Sequence, residues 1–216
     1  MGVRPFVIWL DAVIRRRRGV FTFSTDEDCL LRLELGKASH ALRLNGCTVE
    51  KGDPVLFLHL WNEHLPPLPV SGPTLAWAKR VERLFVGSLR RAAEEIRRDP
   101  RLATVRAVGG VTAVFAPDPG SSGARFLRRL GFTVLPYHGR LGWFGEFWEN
   151  LYSLWLIRAY NPASLRGRRV SGLHRTEIWM PVEDFLANFV GERRVRPPCP
   201  VGVGEGDEEE TDRQRG

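Results

Sequence analysis

The stretch HLWNEH at residues 59–64 holds the densest group of side chains able to carry out chemistry. His59, Glu63 and His64 are residue types that bind metal ions or transfer protons. Inverted zincins need H-x-x-E-H on a helix, whereas the spacing here is H-x-x-x-E-H after a predicted strand. On a strand, His59 and Glu63 would point to one face and His64 to the other, because successive side chains alternate. The sequence therefore predicts no metal site.

The same residues lie at the end of a segment typical of a buried strand. Residues 55–60 are apolar apart from His59, and ligands commonly bind at strand ends in α/β sheets. We therefore predict a ligand-binding site formed by His59, Asn62, Glu63 and His64. If the chain is an enzyme, Glu63 or His64 is the candidate catalytic base. Ordinary structural hydrogen bonding by these side chains is the alternative.

Several enzyme classes lose support because their motifs are absent from the sequence. It contains no G-x-S-x-G nucleophile elbow, no G-x-x-x-x-G-K-[ST] phosphate loop and no G-x-G-x-x-G dinucleotide fingerprint. Cys29, Cys47 and Cys199 form no C-x-x-C pair, and three thiols do not suggest a disulfide framework. These observations disfavour α/β-hydrolases, P-loop NTPases and dinucleotide oxidoreductases, and they favour a reducing compartment.

Composition and charge indicate one globular domain with an acidic tail. The chain has 216 residues, of which 43% are hydrophobic and 26% charged, close to the average for such domains. Its net charge is +7, but residues 205–216 hold six acids and two arginines, so the remainder carries about +11. From about residue 193 onward Pro, Gly and acids dominate, which predicts disorder. We predict a single domain over residues 1–192 and a tail over residues 193–216.

The surplus of basic residues raises the question of an anionic partner. The arginines are spread along the chain rather than focused into a known motif, so nucleic-acid binding is disfavoured. Two clusters could contact anionic lipid headgroups or another polyanion, namely Arg15, Arg16, Arg17, Arg18, Arg166, Arg168 and Arg169. The apolar run at residues 6–14 precedes its basic cluster, the reverse of a secretory signal. We expect a cytoplasmic protein, with peripheral attachment at the inner membrane surface or a protein partner as alternatives.

Hydrophobic periodicity predicts an alternation of strands and helices. Strands are expected at residues 20–23, 29–35, 41–44, 55–61, 105–115, 132–137 and 175–180. Helices are expected at residues 5–18, 74–98, 143–160 and 181–190, with a shorter one starting at Ser121 or Ser122. Whether the aromatic helix at 143–160 faces the core or a membrane surface stays open. The strand–helix–strand order over residues 105–137 predicts two parallel strands. The fold class is thus α/β or α+β, a single domain with a mixed sheet and flanking helices.

Four segments resemble the YkoP-like family of small uncharacterised bacterial proteins. They are the succession LLRLELGKASHALRLNGCTVEKGDPVLFLHLWNEHL, a long amphipathic helix, VRAVGGVTAVF and FLRRLGFTVLP. Similar domains are appended to polysaccharide deacetylases, so the resemblance implies a noncatalytic binding or accessory module. Deacetylase activity itself is not expected, because Ser24 and Thr25 stand where the T-F-D-D motif has Asp and no H-x-x-x-H follows.

A second resemblance is to the GNAT acyltransferases. Residues 124–132, ARFLRRLGF, are similar to the A-x-x-L-Y-x-x-x-G-F of their late helix and strand, with the Tyr replaced. The element order also agrees, which implies a GNAT-like sheet. The R/Q-x-x-G-x-G/A loop, whose amides bind the coenzyme A pyrophosphate, is absent between Trp61 and Trp77, where prolines are frequent.

We therefore expect no cofactor, and acetyl-CoA only if the chain is a degenerate GNAT-like acyltransferase. The leading interpretation is a noncatalytic binding or accessory module, with the question of enzymatic activity left open. A basic peripheral membrane or nucleic-acid-binding protein is the remaining alternative.

Overall fold

The structure is a computed structural model that describes residues 13, 16–44, 46–69, 72, 74–112, 122–137 and 175–191. Its strands are β1 (Leu31–Lys37), β2 (Leu42–Leu44), β3 (Cys47–Val49), β4 (Pro54–Leu60), β5 (Ala107–Thr112), β6 (Thr133–Pro136) and β7 (Thr176–Pro181). The principal helices are α1 (Leu75–Arg98), α2 (Ser122–Arg129) and α3 (Val182–Val190). Short 3-10 helices span Asn62–His64 and Pro100–Leu102.

Five of the strands form one mixed sheet, in the order β1-β4-β5-β7-β6. β4 and β5 pair in parallel, with Val55 opposite Ala107, and the long helix α1 makes the crossover that a parallel pair requires. β1 pairs antiparallel with β4, and β7 pairs antiparallel with both β5 and β6. β5 and β6 therefore run in the same direction, as predicted, but β7 lies between them. The predicted mixed α/β fold is confirmed.

One face of this sheet is covered by the helices. Alternation along β1 places Leu31 and Leu33 on this face, where both are buried. α1 turns Leu89, Ala92 and Ile96 toward it at helical spacing. The apolar core built here also contains Leu56, Val108, Leu127, Phe132, Ile178, Met180 and Phe185. Removing this surface from water is the main favourable contribution to folding.

A two-stranded hairpin, β2–β3, covers part of the opposite face. Its inward side chains Leu42 and Leu44 pack with Val55 and Trp179 in a second apolar cluster. The sequence predicts β2 but not β3, although the two strands have the same length and the same alternation of buried and exposed residues. Gly46, in the turn between the two strands, has a φ of 70°, which glycine adopts without strain.

The ends of α1 and α3 lie where the sequence signals predict them. Thr74 caps α1, since its Oγ1 accepts a hydrogen bond from the backbone N–H of Trp77 at 3.2 Å. Asp99 ends that helix. α3 begins after Pro181 and stops at Gly191, whose φ of 80° is the left-handed conformation of a glycine stop.

Some predicted elements differ or fall outside the described residues. The predicted strand at residues 20–23 is wrong, because only Phe21 forms a bridge, to Leu33 of β1. The predicted helix at 143–160 and the predicted tail at 193–216 lie outside the described residues, as does most of the predicted helix at 5–18. The division into a domain and a tail stays a prediction.

Two glycines in β5 allow close approach of the neighbouring strands. A Cβ on Gly109 would lie 2.6 Å from Cε3 of Trp179, which stands on the adjacent strand β7. It would also overlap the backbone carbonyl of Ile178. A Cβ on Gly110 would lie 3.0 Å from the carbonyl oxygen of Leu58 in β4. The packing of the sheet centre therefore depends on the absence of side chains at these two positions.

We expect Gly109→Ala to lower the free energy of unfolding by about 2–3 kcal/mol, because a backbone carbonyl and a packed indole cannot move aside easily. The matched control is Gly87→Ala in α1, where a Cβ would meet only the flexible end of Arg91, at 3.4 Å. Alanine is favoured over glycine inside a helix, so the control should raise stability by about 0.4–1 kcal/mol. Urea unfolding followed by circular dichroism measures both changes, and equal stability of the two variants would contradict the close approach at β5.

Candidate functional site

The antiparallel pairing of β1 with β4 places polar side chains on the sheet face opposite the helices. Arg32 lies opposite His59 in the register, and Glu34 lies opposite Phe57. All four side chains share that face, because alternate residues of each strand point to the same side. The apolar cluster of the hairpin reaches Phe57 but does not include His59. The polar side chains therefore lie next to the part of the sheet face on which the hairpin packs.

Glu34 and His59 form a hydrogen-bonded pair across the two strands. Oε2 of Glu34 lies 2.8 Å from Nε2 of His59. An ionised carboxylate only accepts, so Nε2 carries the hydrogen and Nδ1 of the neutral ring is left as an acceptor. No group in the described part of the chain hydrogen-bonds to Nδ1, and the His59 side chain is 31% exposed. His59 therefore presents an acceptor nitrogen at the surface.

The residues after β4 do not continue the strand. The backbone N–H of His64 donates to the carbonyl oxygen of Trp61 at 3.0 Å, and Asn62–His64 form a 3-10 helix. This turn brings the His64 ring onto the Trp61 indole, with ring centroids 3.7 Å apart and 18° between the planes. The chain folds back at Asn62, so the alternation expected of a continuing strand does not apply to Glu63 and His64.

His64 is held in a fixed orientation by the backbone. Its Nδ1 lies 3.0 Å from the carbonyl oxygen of Cys29, which precedes β1. A carbonyl oxygen only accepts, so Nδ1 carries the hydrogen and Nε2 of the neutral ring is left as an acceptor. Among the described residues, none hydrogen-bonds to Nε2. The two imidazoles thus present different ring nitrogens, Nδ1 of His59 and Nε2 of His64.

Arg32 links the residues of the turn to the strand pair. Its guanidinium carbon lies 4.1 Å from the centroid of the Trp61 indole, within the range of a cation–π contact. Its Nη2 lies 3.8 Å from Oε1 of Glu63, so the two charges face each other. The guanidinium is planar and always charged, and it donates hydrogen bonds in fixed directions. We name the whole set the strand-end cluster, which consists of Arg32, Glu34, His59, Trp61, Glu63 and His64.

The strand-end cluster contains three of the four residues predicted to bind a ligand, His59, Glu63 and His64. Asn62, the fourth, starts the 3-10 helix beside them. Sequence reasoning missed Arg32 and Glu34, although both alternate with leucines on a predicted strand. Over the ranges that the structure describes, no three His, Cys, Asp or Glu side chains are placed to hold a metal ion. Ligand binding by these residues stays a prediction.

A buried carboxylate on the same sheet face was not predicted. Glu177 in β7 is 4% exposed, and its Oε2 accepts a hydrogen bond from the indole N–H of Trp179 at 2.9 Å. Nε2 of His40 lies 3.6 Å from the same oxygen, and Nδ1 of His40 lies 3.0 Å from Oγ of Ser39. The ring of His40 faces this buried acid. A lone carboxylate in the apolar strand TEIWMP was the available signal.

The backbone amides of the connection between β4 and α1 determine whether it could bind the diphosphate of a cofactor. Pro66, Pro67 and Pro69 carry no backbone N–H. At the start of α1, the backbone N–H of Trp77 is already bonded to Thr74, and the indole N–H of Trp77 donates to the carbonyl of Pro66 at 3.2 Å. These features reduce the number of amides that the described part of the connection offers to a diphosphate.

Only part of the predicted basic contact lies within the described residues. Arg16, Arg17 and Arg18 are helical and exposed. The remaining candidates, Arg15, Arg166, Arg168 and Arg169, lie outside the described residues. In the portion of the chain that the structure covers, no helix is both long and apolar enough to cross a membrane. Contact of these arginines with anionic lipid or another polyanion stays a prediction.

The fold and the strand-end cluster define a mixed α/β domain with helices on one sheet face and a polar, aromatic site on the other. The family model described as the YkoP domain matches residues 9–189, which is most of the chain. The chain therefore belongs to the YkoP family, as the sequence resemblance implied. Comparison with curated proteins and with solved structures gives no match.

The fixed orientation of the two imidazoles is directly measurable. Long-range proton–nitrogen NMR spectra of the neutral rings should show His59 as the Nε2–H tautomer and His64 as the Nδ1–H tautomer. Glu34→Ala removes the acceptor for Nε2 and should return His59 to a mixture of tautomers while leaving His64 unchanged. A wild-type His59 ring with its hydrogen on Nδ1, or a His64 ring that responds to Glu34→Ala, would contradict the geometry of the site.

Proposed function

We propose that the protein is a noncatalytic binding module and that the strand-end cluster is its ligand site. The observation that carries this proposal is the pair of fixed imidazoles, His59 and His64, each with one ring nitrogen left as an acceptor. Next to them, Arg32 supplies hydrogen-bond donors and Glu63 supplies acceptor oxygens. Such a set of polar groups at the end of the β1–β4 pair suits a neutral ligand that both donates and accepts hydrogen bonds.

A saccharide is the ligand class that we propose. Its hydroxyl groups donate to imidazole and carboxylate acceptors and accept from a guanidinium. Trp61 already contacts Arg32 and His64, so we assign recognition to hydrogen bonds of the flanking side chains rather than to stacking on the indole. The resemblance to domains appended to polysaccharide deacetylases supports an accessory role beside enzymes that modify polysaccharides.

The contacts of the two imidazoles disfavour catalysis through a covalent intermediate. In enzymes that use a serine or cysteine nucleophile, the catalytic histidine hydrogen-bonds to that hydroxyl or thiol. Among the described residues, neither His59 nor His64 hydrogen-bonds to such a group. Ser39, His40 and Glu177 do stand in that order, but the 3.6 Å between His40 and Glu177 exceeds a hydrogen bond.

A degenerate GNAT-like acyltransferase is the second candidate, and the element order favours it. β4, the long helix α1, β5, α2 and β6 follow one another along the chain, as the resemblance to these enzymes implies. In this case Glu63 or His64 would act as the base, and acetyl-CoA would be the acyl donor. The proline-rich connection before α1 is the feature that disfavours it, because a pyrophosphate needs several backbone amides.

Chitohexaose, a neutral acetamido sugar oligomer, is the probe for the saccharide proposal. We expect titration calorimetry to detect its binding, with His59→Ala and Glu63→Ala each weakening it about 5- to 10-fold, the effect of one lost hydrogen bond of about 1 kcal/mol. Glu82→Ala is the matched control for Glu63→Ala, since Glu82 is an exposed acid of α1 on the other side of the sheet. Absence of binding, or an equal loss in the control, would contradict the saccharide assignment.

Acetyl-CoA separates the two candidate functions. A ligand that binds only the native state raises its stability, by about 2.7 kcal/mol when present at a hundred times its Kd. A noncatalytic module predicts an unchanged melting temperature at about 1 mM acetyl-CoA. A rise of several degrees would reject the noncatalytic proposal and favour the acyltransferase.

A further inference from the structure

The exposed face of α2 carries a concentration of positive charge. The helix sequence SGARFLRR has three arginines and no acid, and Arg125, Arg128 and Arg129 are all exposed. Phe126 anchors the opposite side against Phe85 of α1, with ring centroids 6.2 Å apart. Within the described ranges, no acidic side chain forms an ion pair with Arg125 or Arg129. Arg125 and Arg129 can therefore attract an anionic partner.

The chain leaves the described fold beside this face. Nδ2 of Asn188, near the end of α3, lies 3.4 Å from the carbonyl oxygen of Leu130, the residue after Arg129. A Cβ on Gly131 would lie 2.7 Å from the same nitrogen, so the end of α3 touches the end of α2. Gly191 ends α3 only three residues beyond Asn188, a rise of about 4.5 Å along a helix. The sequence after Gly191 thus starts next to the arginines of α2.

That sequence holds three further arginines near its start, Arg193, Arg194 and Arg196, and an acidic run follows beyond them. Residues 205–212, EGDEEETD, include six acids and no base. Glu205 is fourteen residues beyond Gly191. A flexible chain of that length has an average end-to-end distance of about 20 Å and a maximum of about 50 Å. The acids can therefore reach α2 without any change in the fold, and the tether keeps them at an effective concentration on the order of millimolar.

We propose that the acidic run at residues 205–212 docks on the arginine face of α2. Exposed ion pairs are individually weak, so several pairs act together and the tether favours their formation. The contact lies on the helix side of the sheet, away from the strand-end cluster, and is independent of the function proposed for that cluster. An anionic partner that binds α2 has to displace the acidic run, which makes the run an internal competitor.

A spin label in the tail tests this contact in the 216-residue chain. Cys29 and Cys47 are buried, at 0% and 8% exposure, so a nitroxide reagent can be directed to Cys199, six residues before Glu205. At about 0.01 M salt, where charges interact over about 30 Å, the label should broaden the amide signals of α2 at least about threefold more than those of the β2–β3 hairpin. At about 1 M salt, where the range is about 3 Å, this broadening should disappear.

Charge exchange makes the test specific. Arg125→Glu combined with Arg129→Glu should abolish the broadening of α2. Adding the opposite changes in the tail should restore it, namely Glu208→Lys, Glu209→Lys and Glu210→Lys. Arg43→Glu on the exposed side of the hairpin is the matched control and should leave the broadening unchanged. Thermal unfolding checks that every variant is folded.

Three results would overturn the proposal. The first is equal broadening on both sheet faces, which would mean that the tail samples the whole surface. The second is broadening of α2 that survives about 1 M salt, which would exclude a contact held by charge. The third is failure of the exchanged charges to restore the broadening in a folded variant.

Discussion

The parallel pairing of β4 with β5 is the constraint around which this molecule is built. A parallel pair needs a long crossover, and the 24-residue helix α1 supplies it on one face only. Both strands are apolar on both faces where they pair, at Val55, Leu56, Ala107 and Val108. The second face must therefore be covered as well. The short β2–β3 hairpin provides that cover, and Gly109 allows Trp179 of the next strand to close over the remaining space.

The area of this sheet face that the β2–β3 hairpin covers determines which polar side chains remain exposed on it. The hairpin packs on Phe57, while His59, two residues further along β4, lies outside its cluster and keeps access to water. The β1–β4 register then places Arg32 and Glu34 beside it. A slip of one residue would turn both charges into the helix-covered core, because the side-chain period of a strand is two. The register that buries the leucines of β1 is thus the register that assembles the strand-end cluster.

How much of this could be predicted depends on the range of the interactions involved. The apolar run of β4, the periodicity of α1 and the stop at Gly191 depend on neighbours within a turn or two, so the sequence predicts them. β3 has the same length and alternation as β2, and its strand geometry depends on pairing with β2 and packing against the sheet. The orientation of His64 could not be predicted, because it depends on the carbonyl of Cys29, 35 residues earlier in the chain.

The candidate site depends even more on contacts between residues that are distant in the sequence. The spacing of HLWNEH predicts that its own residues lie near one another, but it does not predict their partners elsewhere in the chain. The partner of His59 is Glu34, 25 residues away, and only the β1–β4 register brings them together. The buried Glu177 could be suspected from its apolar strand, but its proximity to His40 depends on where the hairpin lies.

The two surfaces of the molecule differ in how they can select a partner. In the strand-end cluster, Arg32 faces Glu63, so these two charges largely cancel at a distance, and Glu34 is hydrogen-bonded to His59. Recognition there comes mainly from hydrogen-bond geometry at short range, which salt affects little. The arginines of α2 act in the opposite way, because the field of Arg125 and Arg129 extends over about a Debye length and weakens as salt is added. The salt dependence of binding therefore indicates which sheet face a partner occupies.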